Sequence, residues 1–448
     1  MPQTGFTWFQ IFRLALVQTA LGAVVVLTTS TLNRVMVVEL ALAASIPGAL
    51  VTVHHAMQLF RPRMGHGSDL GRRRTPWIIG GMALLALGGV GAAFATTVLA
   101  TSRPVGLVLA VASFAAIGAG VSASGTSLLV LLSEGVADAR RGAAATLVWM
   151  MMIAGFAVTA TVAGKQLEPF SHARLVIVAS AVSVIAFAVA LAAVWGVERR
   201  VEKRSTPDER GPSVGFREAL RSVWTEQNAR RFTWFVFVSM LAYSAQDLVL
   251  EPFAGAIFAF SPGASTKLSG VQHSGVFAGM LLVAVMTSLL RGTIAGTTKF
   301  WVVVGCGGSA IAMVGLVWAA MTGGSWPLRE NVFFLGFANG AFSIAAIAAM
   351  MGLAGQGQKG RNGVRMGLWG AAQAIAFGAG GFVGAALCDV AKLLVVRPGT
   401  PYALVFGLEA IGFVAALSVA WKIRFAAGEA ARAHAEPGRE MTHSTVKA

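Results

Sequence analysis

Apolar runs of 18 or more residues recur from one end of this 448-residue chain to the other. Each is long enough to cross a hydrocarbon core of about 30 Å as a helix. Only 12% of residues are charged, against roughly 25% in soluble domains, so the solvent for most of this chain is lipid. The 53 glycines agree, because small residues let membrane helices approach closely. The expected class is an all-α membrane protein with about twelve transmembrane helices. The spans read as 11–32, 38–60, 76–98, 105–132, 143–164, 173–196, 232–258, 269–290, 300–321, 331–354, 366–387 and 401–421.

The formal charge of +16 raises nucleic acid as a partner, but its placement answers otherwise. With twelve spans, 27 of the 35 Lys and Arg fall on one side, nine of them in 197–231. That asymmetry puts both termini in the cytoplasm, makes the lipid bilayer the partner of the basic loops, and leaves no basic soluble domain for nucleic acid. The first apolar stretch is long enough to remain as a span, so no cleavable signal is expected. Phe6, Trp8 and Phe9 before it suit the headgroup interface. Cys306 and Cys388, far apart and in or beside spans, read as small apolar packers.

Residues 197–231, with Pro207, Pro212 and mixed charges, form a cytoplasmic linker. It separates a six-helix half at 1–196 from a second at 232–422, and an Ala-, Glu- and Arg-rich tail at 423–448 follows. The halves echo each other: Arg141 is followed by Trp149 at +8 and Gly164 at +23, and Arg361 by Trp369 and Gly384 at the same offsets. Two related six-span halves joined by a cytoplasmic loop describe the major-facilitator architecture, in which substrate is handled near the midplane.

Three features carry chemistry. The loop after the second span holds Gly65, Asp69, Gly71, Arg72, Arg73 and Arg74, with Pro76 opening the next helix. Glycines permit tight turns there, and Asp69 can accept charge-assisted hydrogen bonds. It resembles the loop signature with which major facilitators latch their halves on the cytoplasmic face. It departs in spacing, since Leu70 stands where a basic residue is usual.

The seventh span contains Gln246, Asp247, Glu251 and Pro252. Residues four apart share a helical face, carboxylates inside a membrane face partners or a cavity, and Pro252 deprives the preceding turn of one hydrogen bond. Either Glu251 snorkels outward and Asp247 bonds a neighbouring helix, or Gln246, Asp247 and Glu251 form a titrating, ligand-binding or partner-docking site. Third, His54, His55 and His273 fall in or near spans; each is a candidate ligand side chain and is also explicable as a hydrogen-bonded or interfacial histidine. Trp149, Trp369, Phe232, Phe235 and Phe237 could stack on a flat ligand or face lipid.

Enzyme signatures are missing. No Cys/His zinc spacing, phosphate loop, nucleophile–base pair or magnesium-diphosphate aspartate motif is found, so no catalytic residue, resident metal or intrinsic cofactor is expected.

The segment Gln246 to Gly255 resembles the hallmark of the PucC family of light-harvesting assembly factors and bacteriochlorophyll-delivery facilitators. The run Ser30 to Leu40 is similar to that family's first extracytoplasmic turn, and Gly65 to Trp77 to its facilitator loop. The compact Gly71-Arg-Arg-Arg-Thr-Pro-Trp77 form looks closer to the branch associated with bacteriochlorophyll synthase. The resemblance spans nearly the whole chain apart from the tail. It implies a non-enzymatic factor of the bacterial inner (intracytoplasmic) membrane that handles bacteriochlorophyll or a precursor during photosynthetic complex assembly. Bound bacteriochlorophyll is the candidate cargo, and the resemblance makes His54, His55 and His273 candidate axial ligands for its magnesium, with Trp149, Trp369, Phe232, Phe235 and Phe237 as rings that could stack on the chlorin. The implied partners are bacteriochlorophyll synthase and antenna or reaction-centre polypeptides. The rival readings are a proton-coupled exporter of a small hydrophobic molecule and a pigment-free scaffold; Glu39 and Glu134, the first half's carboxylates near its edges, offer such an exporter little.

Overall fold

The computed structural model describes residues 5–60, 73–136, 138–197, 221, 224–290, 293–355 and 362–423. Among them every regular element is helical. Eleven helices are long and apolar enough to cross a membrane. These are α1 (Trp8–Glu39), α3 (Thr75–Leu99), α4 (Arg103–Gly135), α5 (Asp138–Gln166), α6 (His172–Val194), α7 (Gln227–Phe258), α8 (Pro262–Leu289), α9 (Thr298–Thr322), α10 (Leu328–Gly355), α11 (Asn362–Leu394) and α12 (Thr400–Trp421). The second expected span is the 13-residue α2 (Ser45–Met57) followed by a 3₁₀ turn, Gln58–Phe60.

Local chemistry sets the helix ends. A capping box between Thr7 and Gln10 opens α1, and the hydroxyls of Ser171, Ser261 and Thr297 accept from the first turns of α6, α8 and α9. Such caps satisfy amide groups that have no intrahelical partner. The start of α2 is capped from a distance: the Asp389 carboxylate on α11 accepts from Ala44 N at 2.9 Å and Ser45 N at 2.7 Å.

The two halves repeat one arrangement. In the first, α1 packs on α5 and α6, α3 on α4 and α6, and α2 on α4; in the second, α7 packs on α11 and α12, α9 on α10 and α12, and α8 on α10. The helices that cross between halves also correspond, α5 with α8 and α11 with α2. Each half keeps its own apolar core. Large apolar side chains that remain exposed, such as Phe94, Ile177, Ile311 and Leu408, face outward where lipid replaces water. Cys306 and Cys388 are buried and free, as expected of packers.

Two expectations need correction. The first span does not end at 32: helix α1 runs on to Glu39 through two π-helical stretches, Leu27–Thr31 and Val35–Glu39. The run Ser30 to Leu40, expected as a turn, is therefore the end of a helix, because its polar side chains find partners on the other half. Trp369, Phe232 and Phe235 neither face lipid nor offer a free ring wall. All three are fully buried, Trp369 meeting Phe232 edge-on at 4.8 Å. The expected linker at 197–231 and the tail lie mostly outside the described residues.

Candidate functional site

The site is assembled where α1 crosses α7. Pro252 has no N–H to give the Leu248 carbonyl one turn earlier, and an unsatisfied carbonyl is costly inside a membrane. The other half supplies the missing donor: Asn33 Nδ2 donates to Leu248 O at 2.7 Å. The neighbouring Arg34 is 2% exposed. Its Nη1 pairs with Glu39 at 2.5 Å and its Nη2 donates to Phe260 O at 2.7 Å. Gly255 makes room for it, since a Cβ there would stand 3.0 Å from Nη2. The π-helical stretches that flank Leu32–Arg34 widen the turn locally, a feature common at functional sites. Ser30 and Thr31 extend the seam to α8, bonding Ser269 at 3.2 Å and Thr266 at 3.0 Å.

Beneath this seam the polar side chains of α7 are buried without settled partners. Gln246 is fully buried and both its amide atoms lack a hydrogen bond within the described residues; so do both oxygens of Glu251, 2% exposed, and Oδ1 of Asp247. Glu251 does not snorkel out. Ser265, Arg34 and Ser30 are the polar groups closest in influence on it, and Gln272 of α8 stands beside Asp247. Its Nε2 is also without a hydrogen bond among the described residues. From α12 comes Glu409, 4% exposed, its two oxygens likewise unpaired there, and it stands near Asp247.

An aromatic row leads to this polar group. His55 of α2 lies 5.6 Å from Phe377 of α11, which lies 5.8 Å from Tyr243 of α7. Tyr243 continues to Phe342 of α10 at 6.3 Å, and Phe342 to Phe413 of α12 at 5.8 Å. Tyr243 precedes Asp247 by four residues, and Glu409 precedes Phe413 by four, so ring and acid share a face on each helix. The row starts in one half and ends in the other.

The histidines differ in what they offer. Gln58 Nε2 lies 3.1 Å from His54 Nε2 and 3.2 Å from His55 Nδ1, which ties both rings to one amide. His273 Nδ1 is 2.8 Å from the Ser269 carbonyl. A carbonyl only accepts, so Nδ1 carries the proton, and the neutral ring keeps its lone pair on Nε2, the arrangement of a metal-ligating imidazole. His273 sits edge-on to Phe156 of α5 at 4.8 Å, at the crossing between halves. Among the described residues no cluster of three or more His, Cys, Asp or Glu could hold a metal ion by itself.

The ties between halves described above gather at one end of the bundle, that of the α1–α2 and α7–α8 connections. Glu168, Lys267 and Ser261 add another there. Lys267 Nζ is 2.8 Å from Glu168 Oε2 and Ser261 donates to Oε1 at 3.1 Å. These two hydrogen bonds hold the Glu168 carboxyl below its usual range. At the opposite end the bonds among the described residues run within halves: Arg13 donates to Ala192 O and Trp195 O, and Arg231 to Lys422 O. Of the loop expected to latch that end, Gly65, Asp69, Gly71 and Arg72 lie outside the described residues, while Arg73 and Arg74 stand at the start of α3.

The PUCC protein family matches residues 31–427, taking in both halves and the seam between them. The chain belongs to the PucC family. It is similar over 94% of its length, at 49% identity, to the bacteriochlorophyll synthase 44.5 kDa chain of Rhodobacter capsulatus, and spans 97% of that protein. To the protein PucC of Rhodovulum sulfidophilum it is 32% identical, covering 86% of each chain. In architecture it resembles a D-xylose–proton symporter, with a TM-score of 0.70 at 16% identity over 93% of this chain and 98% of the other. The fold is accordingly that of a major facilitator in two six-helix halves.

In this PucC-family protein the structure brings Gln246, Asp247, Glu251 and Pro252 to one seam, with His273 one helix away, and sets His54 and His55 at the far end of the aromatic row. Sequence reasoning missed Glu409, Gln272 and Asn33. Glu409 had a signal: it is the lone charge in the apolar run Tyr402 to Val419, and an ionisable residue inside a span is a candidate site by default. Gln272 and Asn33 carry no charge and gave none.

Proposed function

We propose that this chain is a non-enzymatic factor of the bacterial inner (intracytoplasmic) membrane, both termini cytoplasmic, that holds bacteriochlorophyll or a precursor between its halves, 1–196 and 232–422. It passes the pigment between bacteriochlorophyll synthase and nascent antenna or reaction-centre polypeptides. The observation that carries this reading is the run of partly buried rings His55, Phe377 and Tyr243, which flanks the unpaired polar atoms of Gln246, Asp247, Glu251, Gln272 and Glu409. A tetrapyrrole needs an apolar aromatic wall for its faces and a few polar contacts at its edge, and binding sites of that kind are mostly apolar with few polar groups. His273 Nε2 is the best-prepared axial ligand for the central magnesium, with His54 and His55 as further candidates. The names of the relatives support the same pigment.

Arg73 and Arg74, with Gly65, Asp69, Gly71 and Arg72, are proposed to latch the halves on the cytoplasmic face. That latch is the counterpart of the seam around Asn33 and Arg34 at the other end.

A second reading is favoured by the buried carboxyls themselves: a proton-coupled exporter with Asp247, Glu251 and Glu409 as titrating groups. Asp247→Asn and Glu251→Gln decide between them. The pigment reading predicts a several-fold fall in mature pigment–protein yield in a pigmented host, with resistance to exported compounds unchanged. Loss of a proton-driven flux with normal pigment proteins would favour the exporter. Tolerance of both changes, with sensitivity at lipid-facing surfaces, would favour a pigment-free scaffold.

A further inference from the structure

The end of the bundle at the α1–α2 and α7–α8 connections is closed by bonds that backbone groups need. Leu248 O loses its own helix's donor to Pro252 and takes Asn33 Nδ2 instead, and Phe260 O, past the end of α7, takes Arg34 Nη2. The amides of Ala44 and Ser45, at the start of α2, have no intrahelical partner and donate to Asp389 of the second half. Buried hydroxyl pairs, Ser30 with Ser269 and Thr31 with Thr266, lie between the halves as well. The backbones themselves touch there. A Cβ on Gly164 of α5 would stand 2.7 Å from Gly263 O of α8, and one on Gly263 would stand 2.5 Å from Gly164 O. A Cβ on Gly48 of α2 would stand 3.3 Å from Phe382 Cα of α11. Helices in such contact hold no layer of water ready to take over the bonds, so the bonds part together. A net hydrogen bond is worth a factor of roughly 2 to 10, and the low end of that range, taken over the bonds just named, disfavours an opened end by about 100-fold. The bonds described for the opposite end run within halves.

We propose that this end stays shut throughout the protein's working cycle, so that the site between the halves is filled and emptied from the opposite end alone and nothing crosses the membrane. The inference rests on the pigment reading above for its cargo and adds the side from which the site is reached. Asn33, Arg34 and Asp389 are then permanent cross-ties between the halves and not a gate. An exporter, in contrast, has to part these bonds once in every cycle, because a ligand that crosses must meet each side in turn.

The test locks the end and asks whether the protein still works. Gly48→Cys with Ala385→Cys joins α2 to α11 across the halves, in a chain whose buried free cysteines are removed by Cys306→Ala and Cys388→Ala. A Cβ on Gly48 would stand 3.2 Å from that of Ala385. A shift of a few tenths of an ångström reaches the roughly 3.5–4.5 Å of a disulfide. The oxidised variant, as the sole copy in a pigmented host, is expected to hold pigment–protein yield within about 2-fold of the unaltered protein's, since it loses no state that the cycle uses. A fall of more than about 10-fold that neither single cysteine variant shows means that a needed state has been locked out. That result overturns the inference and leaves the pigment reading standing. A second measurement needs no pigment. Thr266→Cys, at a buried hydroxyl pair, and Val396→Cys, exposed in the α11–α12 connection, are each treated with a membrane-impermeant maleimide from that side of the membrane. The first is expected to react at least about 100-fold more slowly than the second, in step with the closure above. Comparable rates overturn the inference whether or not the locked variant folds. Should pigment–protein yield prove independent of this chain, the pigment reading falls, and these rates alone decide whether the end opens.

Discussion

The two halves share an arrangement of helices but differ in the acids and amides they bury. Hydroxyls behave alike in both, returning to carbonyls of their own helices: Thr96 to Ala92 O and Ser122 to Gly118 O in the first, Thr233 to Ala229 O and Ser309 to Gly305 O in the second. At the end of α1, Asn33 and Arg34 donate to carbonyls of the second half. The second half buries Glu251, Glu409 and Gln246 with every side-chain oxygen and nitrogen unpaired among the described residues, and Gln272 with its Nε2 unpaired there. A buried polar group left unpaired costs about 1–3 kcal/mol. The second half therefore keeps acids and amides available at a cost in stability, as binding sites commonly do.

The sharpest way to break this contrast is to remove a polar group from each half. Asn33→Leu leaves the Leu248 carbonyl uncapped and should destabilise by about 1–3 kcal/mol. Gln246→Leu removes a residue with nothing to lose and should be neutral or stabilising by about 1 kcal/mol, while weakening pigment binding. Thermal unfolding in detergent checks both, and the same sign for both would erase the distinction.

A second cycle isolates the seam. Asn33→Ala should cost about 1 kcal/mol or more beside Pro252, and clearly less in a Pro252→Ala background, where residue 252 regains an N–H for Leu248. Additive effects would mean that Asn33 does not serve that carbonyl.

Gly255→Ala is expected to cost about 1 kcal/mol by crowding the Arg34 guanidinium, with the loss reduced in an Arg34→Ala background. The smallest effect is expected at the exposed Glu168–Lys267 pair. The Glu168 carboxyl is held below its normal value of 4.5, chiefly by its hydrogen bonds from Lys267 and Ser261. A depressed carboxyl stabilises the fold above its unfolded pKa, and that support is lost as pH falls through the folded one. Glu168→Gln should thus lower Tm slightly at pH 7 and not at all once the pH has fallen below the folded pKa, with the difference fading in 1 M salt.

Much of this was legible in the sequence because bilayer thickness imposes a length on each span and glycine marks close helix contacts. The carboxyls of α7 announced themselves for the same reason: charge inside a span demands an explanation. What stayed hidden depended on contacts between distant segments. Nothing local in Ser30 to Leu40 distinguishes a turn from a helix end, since Asn33 and Arg34 suit water equally well; the carbonyls of Leu248 and Phe260, more than 200 residues away, decide it. The partner of the carbonyl freed by Pro252 was invisible for that reason, although the vacancy itself was foreseeable. Glu409 was legible and passed over, a lone acid in an apolar run. Phe232 and Trp369 read as ring-stacking or lipid-facing side chains because aromatic residues suit cores, interfaces and ligands alike; tertiary packing alone put them in the core.

The central claim, that the second half's unsettled polar groups exist for a pigment, is tested most directly by an absorption spectrum. The protein would be purified from its pigmented membrane in mild detergent and freed of partner polypeptides. The account predicts stoichiometric near-infrared chlorin absorbance in the unaltered protein, and its loss in a folded variant combining Asp247→Asn with Glu409→Gln. A colourless unaltered protein, or a variant that retains the full band, would contradict it.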